Sequence, residues 1–301
     1  MARLHGMYPA LITPFTAEGE VDENALRRLV AYHVTKGSHG LYLCGSLGSG
    51  PGMSAQERRR VVEIAIEAAE GRLGIIVHVG TINPREAADL ARHAERAGAD
   101  AVAAIAPYYY RPTWSVVRAF YDRLLDATRL PVWAYNQPAH SHFEFTADQV
   151  LELADRGVRG YKDGGLSYYA FQQVLHRADR ERLTIFTAVP SLLFAALVDG
   201  ADGFIGGPNN VLPQFYNALY AAVRAAEWDR AVALELRAGE VFRLCGGPGA
   251  VPMWHALLAE FGVEAGHTRL PQPPITEEVR SSAAGNATRL RQIVEELGIA
   301  W

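Results

Sequence analysis

Leu130-Pro131-Val132-Trp133-Ala134-Tyr135-Asn136-Gln137-Pro138 and, one strand–helix unit later, Val158-Arg159-Gly160-Tyr161-Lys162-Asp163-Gly164-Gly165 decide how this chain is read. Each is a short, mainly apolar run that ends in polar residues and is punctuated by proline or glycine. Such runs fit parallel strands buried on both faces. Tyr135 and Lys162 then stand at the ends of consecutive strands, where they can share one pocket. Lysine can form a Schiff base with a carbonyl there, and tyrosine can move its protons.

The same kind of run recurs on both sides. Upstream are Gly6 to Phe15, Gly40 to Cys44, Gly74 to Val79 and Ala101 to Ala106; downstream are Thr184 to Thr187 and Gly203 to Gly206. The intervening segments read as amphipathic helices. Asp22 is placed to cap a helix with Leu26, Leu29, Val30 and His33 on one face. Ser54-Ala55-Gln56-Glu57 has the form of a capping box. Asn83-Pro84-Arg85-Glu86 offers an N-cap, proline at the first helical position and an acid in the first turn. Thr146 or Asp148 opens a later helix.

About eight strand–helix units in roughly 220 residues is the count of a (β/α)8 barrel, typically ~250 residues long. A doubly wound sheet is the alternative, but no strand is followed by G-x-G-x-x-G. After Pro213 the pattern is helical: Gln214 to Ala226, Trp228 to Leu244, Gly249 to Phe261 and Glu277 to Leu297. Gly246-Gly247-Pro248-Gly249 and Pro271-Gln272-Pro273-Pro274 interrupt it. The expected organisation is an α/β TIM barrel over residues 1–222 and a helical appendage, residues 223–301, packed on it.

The chain has 301 residues, 49% of them hydrophobic, enough for a large core. A net charge of -4, with basic and acidic residues interspersed, gives no electrostatic case for nucleic acid or an acidic membrane. Cys44 and Cys245 are the only cysteines and lie far apart, which suits a reducing compartment. The opening residues lack the apolar segment of a signal peptide, and no stretch approaches the roughly 20 apolar residues of a spanning helix. A cytoplasmic location is expected.

Lys162 taken alone reads as a lysine paired with Asp163 at a strand end. Its alternative is a desolvated, nucleophilic amine. Tyr135 alone reads as an amphipathic residue closing the barrel. Gly45-Ser46-Leu47-Gly48-Ser49-Gly50 exposes backbone N–H groups that can hold a carboxylate, to which Ser46 adds a hydroxyl, or is simply a flexible turn. It lacks the Lys-Ser/Thr ending of a P-loop. Tyr108-Tyr109-Tyr110 places bulk at the barrel mouth or in a subunit contact. His140 and His142 have a spacing that can ligate a metal, but no Cys stands close by in sequence; surface or substrate-contact histidines are the preferred reading.

Taken in order, the glycine/hydroxyl loop, P-Y-Y (Pro107 to Tyr109), Y-N-x-P (Tyr135 to Pro138) and G-x-K-D (Gly160 to Asp163) resemble the dihydrodipicolinate synthase / N-acetylneuraminate lyase family. Gly6 to Phe15 matches its opening G-x-x-x-A-x-x-T-P-F, and the resemblance covers essentially the whole chain. It implies a (β/α)8 barrel, a homo-oligomer (dimer or tetramer), and binding of pyruvate or another 2-oxo acid as a Schiff base, with no cofactor and no metal. It implies Lys162 as the Schiff-base lysine and Tyr135 as the proton-transfer phenol. Tyr109 matches a tyrosine contributed across a subunit contact to a hydroxyl relay. Ser46 falls on the hydroxyl that binds the 2-oxo acid carboxylate, and Ile205 and Gly206 lie near the last-strand segment lining the pyruvate site.

The departures concern the second substrate. Leu47 stands where the pattern has a second threonine, and Ser49 where it has Glu. His140 stands where the synthases carry an arginine for a carboxylate, removing a bidentate contact. Ala188-Val189-Pro190-Ser191 lacks the polar groups that hold sugar hydroxyls in the lyases. Together with Trp114, Leu47 and Val189 point to an aldehyde of limited polarity. The leading expectation is a class I aldolase or lyase whose partners are a small 2-oxo acid and an aldehyde. The alternatives are a dihydrodipicolinate synthase acting on aspartate semialdehyde, a non-catalytic 2-oxo acid binding protein, and a metal-dependent aldolase using His140 and His142.

Overall fold

In a computed structural model of the chain, residues 3–247 and 249–301 are described. Pro248, part of the expected glycine-rich break, lies outside them.

Among the described residues, eight strands form one sheet: β1 (Gly6–Pro9), β2 (Gly40–Leu43), β3 (Gly74–His78), β4 (Ala101–Ile105), β5 (Val132–Asn136), β6 (Gly160–Asp163), β7 (Thr184–Thr187) and β8 (Gly203–Gly206). Their order is β1-β8-β7-β6-β5-β4-β3-β2. The pairs from β3 to β8 are parallel and successive in sequence. The end strands meet through a parallel bridge between Ala10 and Tyr42, with the Leu11 N–H donating to the Tyr42 carbonyl at 3.0 Å. This is the (β/α)8 barrel. The strands are buried nearly throughout because each faces the barrel interior on one side and helices on the other.

The expected caps form. Asp22 accepts from the Ala25 N–H at the start of α1 (Glu23–Thr35), and Ser54 and Glu57 complete a capping box on α2 (Ala55–Ala69). Asn83 caps α3 (Pro84–Ala97). The helix α4 (Trp114–Ala127) precedes β5, and a single turn, α5 (Pro138–Ser141), follows it. Thr146, not Asp148, caps α6 (Ala147–Arg156), again with a capping box through Gln149. Then come α7 (Tyr168–Arg177) and α8 (Leu193–Val198), and the C-terminal helices α9 (Pro213–Arg224), α10 (Trp228–Leu244), α11 (Val251–Glu260) and α12 (Glu277–Glu296). The first run, expected as a strand from Gly6 to Phe15, is regular only to Pro9; Pro9 and Pro14 lack the N–H that a ladder needs.

Two compact units divide the chain. One comprises Met1–Gly6 and Gly74–Ile205, the other Met7–Leu73 and Gly206–Trp301. Within the first, α3 packs on α4 and β4, α4 on α6 and β5, and α6 on α7. Within the second, α1 packs on α2, α9 on α10, and both α10 and α11 on α12. No helix among the described residues is long and apolar enough to cross a membrane.

Candidate active site

The β5–β6 register pairs Tyr135 with Lys162 and Asn136 with Asp163. Side chains alternate along a strand, so the first pair faces one side of the sheet and the second pair the other. Tyr135 and Lys162 are both almost fully buried, and the Lys162 Nζ sits 3.7 Å from the centre of the Tyr135 ring. The ring face is negative and offers a cation some compensation. Burial nonetheless wins and holds the Lys162 ammonium well below its ordinary pKa. A neutral amine is the form that attacks a carbonyl. Burial pushes the Tyr135 phenol up, and a hydrogen bond from the Gln137 Nε2 to the phenol oxygen, at 3.3 Å, opposes that rise.

The second pair acts as a clamp. The Asp163 Oδ1 accepts from the Asn136 Nδ2 at 2.6 Å, the Tyr161 hydroxyl at 3.0 Å and the Gly165 N–H at 3.3 Å. Burial raises the Asp163 carboxyl to about 6 despite these donors. Asp163 is thus engaged by β5 and by its own loop, and alternation turns it away from Lys162. Asn136 in turn accepts from the Phe145 N–H at 3.3 Å. Gly164 and Gly165 allow the close approach: a Cβ on Gly165 would lie 2.9 Å from the Asn136 Nδ2, and one on Gly164 3.0 Å from the Asn136 carbonyl oxygen.

His78, at the end of β3, joins this group. It is buried, its Nε2 accepts from the Ile105 N–H at 3.2 Å, and its ring stands edge-on to Tyr135 with centroids 6.1 Å apart. Its accepting Nε2 places the proton of the neutral ring on Nδ1. Sequence reasoning passed over His78 and Gln137. The signal for His78 was the same as for Lys162, an ionisable residue ending an apolar run.

The remaining sequence candidates occupy strand ends and the segments that follow strands. Tyr109 is 77% exposed and held at φ 78°, with its ring edge against Tyr110. His140 and His142 are exposed, on and just after α5. Among the described residues no cluster of three or more His, Cys, Asp or Glu is arranged to hold a metal ion. Trp114 is half-buried; it stacks on Phe143 and donates from Nε1 to Glu152 at 3.0 Å. Val189 is buried after β7, its N–H on the Thr187 hydroxyl. Ile205 and Gly206 end β8, both buried.

In the second unit, the Gly45–Gly50 loop is tightly closed rather than loose. The Gly50 N–H reaches the Gly45 carbonyl at 3.0 Å, and the Thr13 hydroxyl donates to the Gly48 carbonyl at 2.6 Å. Cys44 and Ser49 take left-handed conformations, each with φ 57°. A Cβ on Gly50 would lie 1.8 Å from the Cys44 carbonyl oxygen, so this turn requires glycine there. Ser46 and Leu47 sit half-buried at its tip.

With this geometry in place, comparison with known proteins identifies the family. The dihydrodipicolinate synthetase family model matches residues 3–289. This chain belongs to that family. Among relatives, a 4-hydroxy-tetrahydrodipicolinate synthase of Anaeromyxobacter sp. (strain Fw109-5) is 31% identical over 96% of this chain and 98% of its own. An N-acetylneuraminate lyase of Citrobacter koseri is 34% identical over 80% of this chain and 81% of its own. A Ruminococcus gnavus sialic acid aldolase, solved as a catalytic lysine mutant, superposes with a TM-score of 0.92 at 26% identity, covering 98% of each chain. This dihydrodipicolinate synthetase family member is therefore one of the pyruvate-dependent Schiff-base aldolases and lyases, the metal-independent class I type.

Proposed function

We propose that Lys162 is the Schiff-base residue of this protein and Tyr135 its proton-transfer group. The observation that carries this reading is a buried lysine, its pKa lowered by burial, in register with a buried tyrosine on the neighbouring strand. Lys162 attacks C2 of pyruvate or another 2-oxo acid. Tyr135 supplies and recovers protons as carbinolamine becomes imine. The enamine then makes or breaks a carbon–carbon bond, with the protonated imine as electron sink. On the family pattern, Ser46 and the Gly45–Gly50 amides are assigned to the carboxylate, and Ile205 and Gly206 to the last-strand segment lining the pyruvate site.

Leu47 and Val189, together with Trp114, support an aldehyde acceptor of limited polarity. A dihydrodipicolinate synthase is the second reading, favoured by the Anaeromyxobacter relative at 31% identity. Its weakness is His140, which lacks the fork of donors that a second carboxylate would use. Chemistry is assigned to residues 1–222, with 223–301 as support. The protein is further proposed to be a cytoplasmic homo-oligomer, dimer or tetramer, in which Tyr109 reaches a partner's site.

Borohydride reduction in the presence of pyruvate, followed by peptide mass spectrometry, tests the core of this proposal. A reduced pyruvyl adduct on Lys162 is expected. Turnover with no adduct there would sink the mechanism. Tyr135→Phe is expected to lower kcat/KM by about 10²–10⁴. Aldehydes of graded polarity then separate the two readings: preference for apolar acceptors supports the first, and efficient condensation with aspartate semialdehyde the second.

A further inference from the structure

We propose that Gln137 is a positioning residue for the reaction, holding the Tyr135 phenol oxygen and stabilising the phenolate that forms there; this rests on the assignment of Lys162 and Tyr135 above. Its Nε2 lies 3.3 Å from the Tyr135 hydroxyl oxygen. An amide N–H can only donate, so the phenol oxygen is the acceptor in this contact.

Three features make the contact a built one. The Gln137 carbonyl accepts from the Ser141 hydroxyl at 3.0 Å, the Ser141 N–H at 3.0 Å and the His140 N–H at 3.1 Å. The backbone that launches the side chain is therefore fixed at the start of α5. Gly164, two residues past Lys162, leaves the space the carboxamide occupies: a Cβ there would stand 3.3 Å from both the Cδ and the Nε2 of Gln137. Finally, Tyr135 is buried where charge on its oxygen is costly, so a neutral donor aimed at that oxygen has its largest effect as the phenolate appears.

The step balances without any further reactant. In the carbinolamine the C–OH bond breaks while the nitrogen lone pair forms C=N. The Tyr135 proton goes to the departing hydroxyl, which leaves as water. The products are the protonated imine, water and the Tyr135 phenolate. Gln137 gains and loses no proton; its N–H bond to the oxygen shortens as charge develops and relaxes when the phenol is restored.

The test is timed borohydride quenching of protein mixed with pyruvate, with the Lys162 adduct quantified by mass spectrometry, for wild type, Gln137→Leu and Gln137→Glu. Absence of an adduct in wild type removes the underlying assignment and with it this inference. With wild type trapping normally, Gln137→Leu is expected to form the imine about tenfold more slowly. Gln137→Glu keeps the shape and supplies a pH readout. Its neutral acid can donate to the phenol, whereas its carboxylate cannot and draws the phenol proton to itself. The ratio of its rate to that of wild type is therefore expected to rise as pH falls through the carboxyl titration. A ratio that is flat with pH, or a Gln137→Leu rate equal to wild type, overturns the inference. If Gln137→Leu fails to fold, the Gln137→Glu ratio decides alone.

Discussion

At the residue scale, the candidate site joins two ionisable groups whose surroundings push them in useful directions. Lys162 is held towards its neutral form by burial. The rate of imine formation should rise with pH through this lowered pKa and level off well below the ordinary lysine value of about 10.4. A stopped-flow pH profile with pyruvate measures this; a rise that continues to pH 10 would contradict it. Lys162→Met removes the amine but keeps a flexible apolar side chain. It should abolish the adduct and raise stability by about 0.5–2 kcal/mol, because a buried polar group no longer has to be accommodated. Asp163 works in the opposite sense. Its carboxyl is raised to about 6 when folded, against roughly 3.9 when unfolded. Between those values the folded chain holds a proton that the unfolded chain has released, so stability falls as pH rises through this window. Asp163→Asn should flatten that fall, while Asp163→Ala, by orphaning the Asn136 and Tyr161 donors, should cost about 1–3 kcal/mol. Urea titrations between pH 4 and 8 distinguish the three proteins.

At the element scale, the β5–β6 pair is what converts two separate sequence positions into one site. Its register depends on Gly160, where a Cβ would stand 2.0 Å from the Trp133 indole. Trp133 is itself buried against Phe186, edge to face at 5.0 Å. Nothing there can yield cheaply, so Gly160→Ala should destabilise by about 1–3 kcal/mol or more and slow adduct formation on Lys162. A midpoint unchanged in denaturant would show that the strand pair tolerates the methyl. The helices were legible because their signals are local. Capping residues at Asp22, Ser54 and Asn83 act within one turn of the chain and were readable from their spacing, while the choice of Thr146 over Asp148 was left to the structure. Short elements such as α5 and α8 were not, since a single turn carries too little periodicity to register.

At the scale of the whole molecule, the family match over residues 3–289 and the strand order establish the barrel. Tyr109 and Tyr110 remain more than two-thirds exposed, at 77% and 74%, with Tyr109 in a left-handed conformation that side chains adopt only under constraint. Large aromatics held in this way fit an interface between subunits. The purified protein should therefore behave as a homo-oligomer by analytical ultracentrifugation, and Tyr109→Ala should shift it towards smaller species. A monomer at micromolar concentration would end that proposal.

The sequence by itself determined the class of fold, the alternation of buried strands with capped helices, and Lys162 and Tyr135 as the pair to watch. The fold class and the alternation follow from period and punctuation, which act over a few residues; the Lys162–Tyr135 pair stood out only once the order of motifs along the chain resembled a known family. Only the tertiary structure decided which face each group takes. Alternation and register put Lys162 over the Tyr135 ring and turned Asp163 to a clamp with Asn136 and Tyr161. It also brought in His78 from β3, set the Gln137 amide on the phenol oxygen and stacked Trp114 on Phe143. Those outcomes depend on atoms brought together from distant positions or on the exact course of a loop. No local pattern encodes them; strand pairing and close packing do.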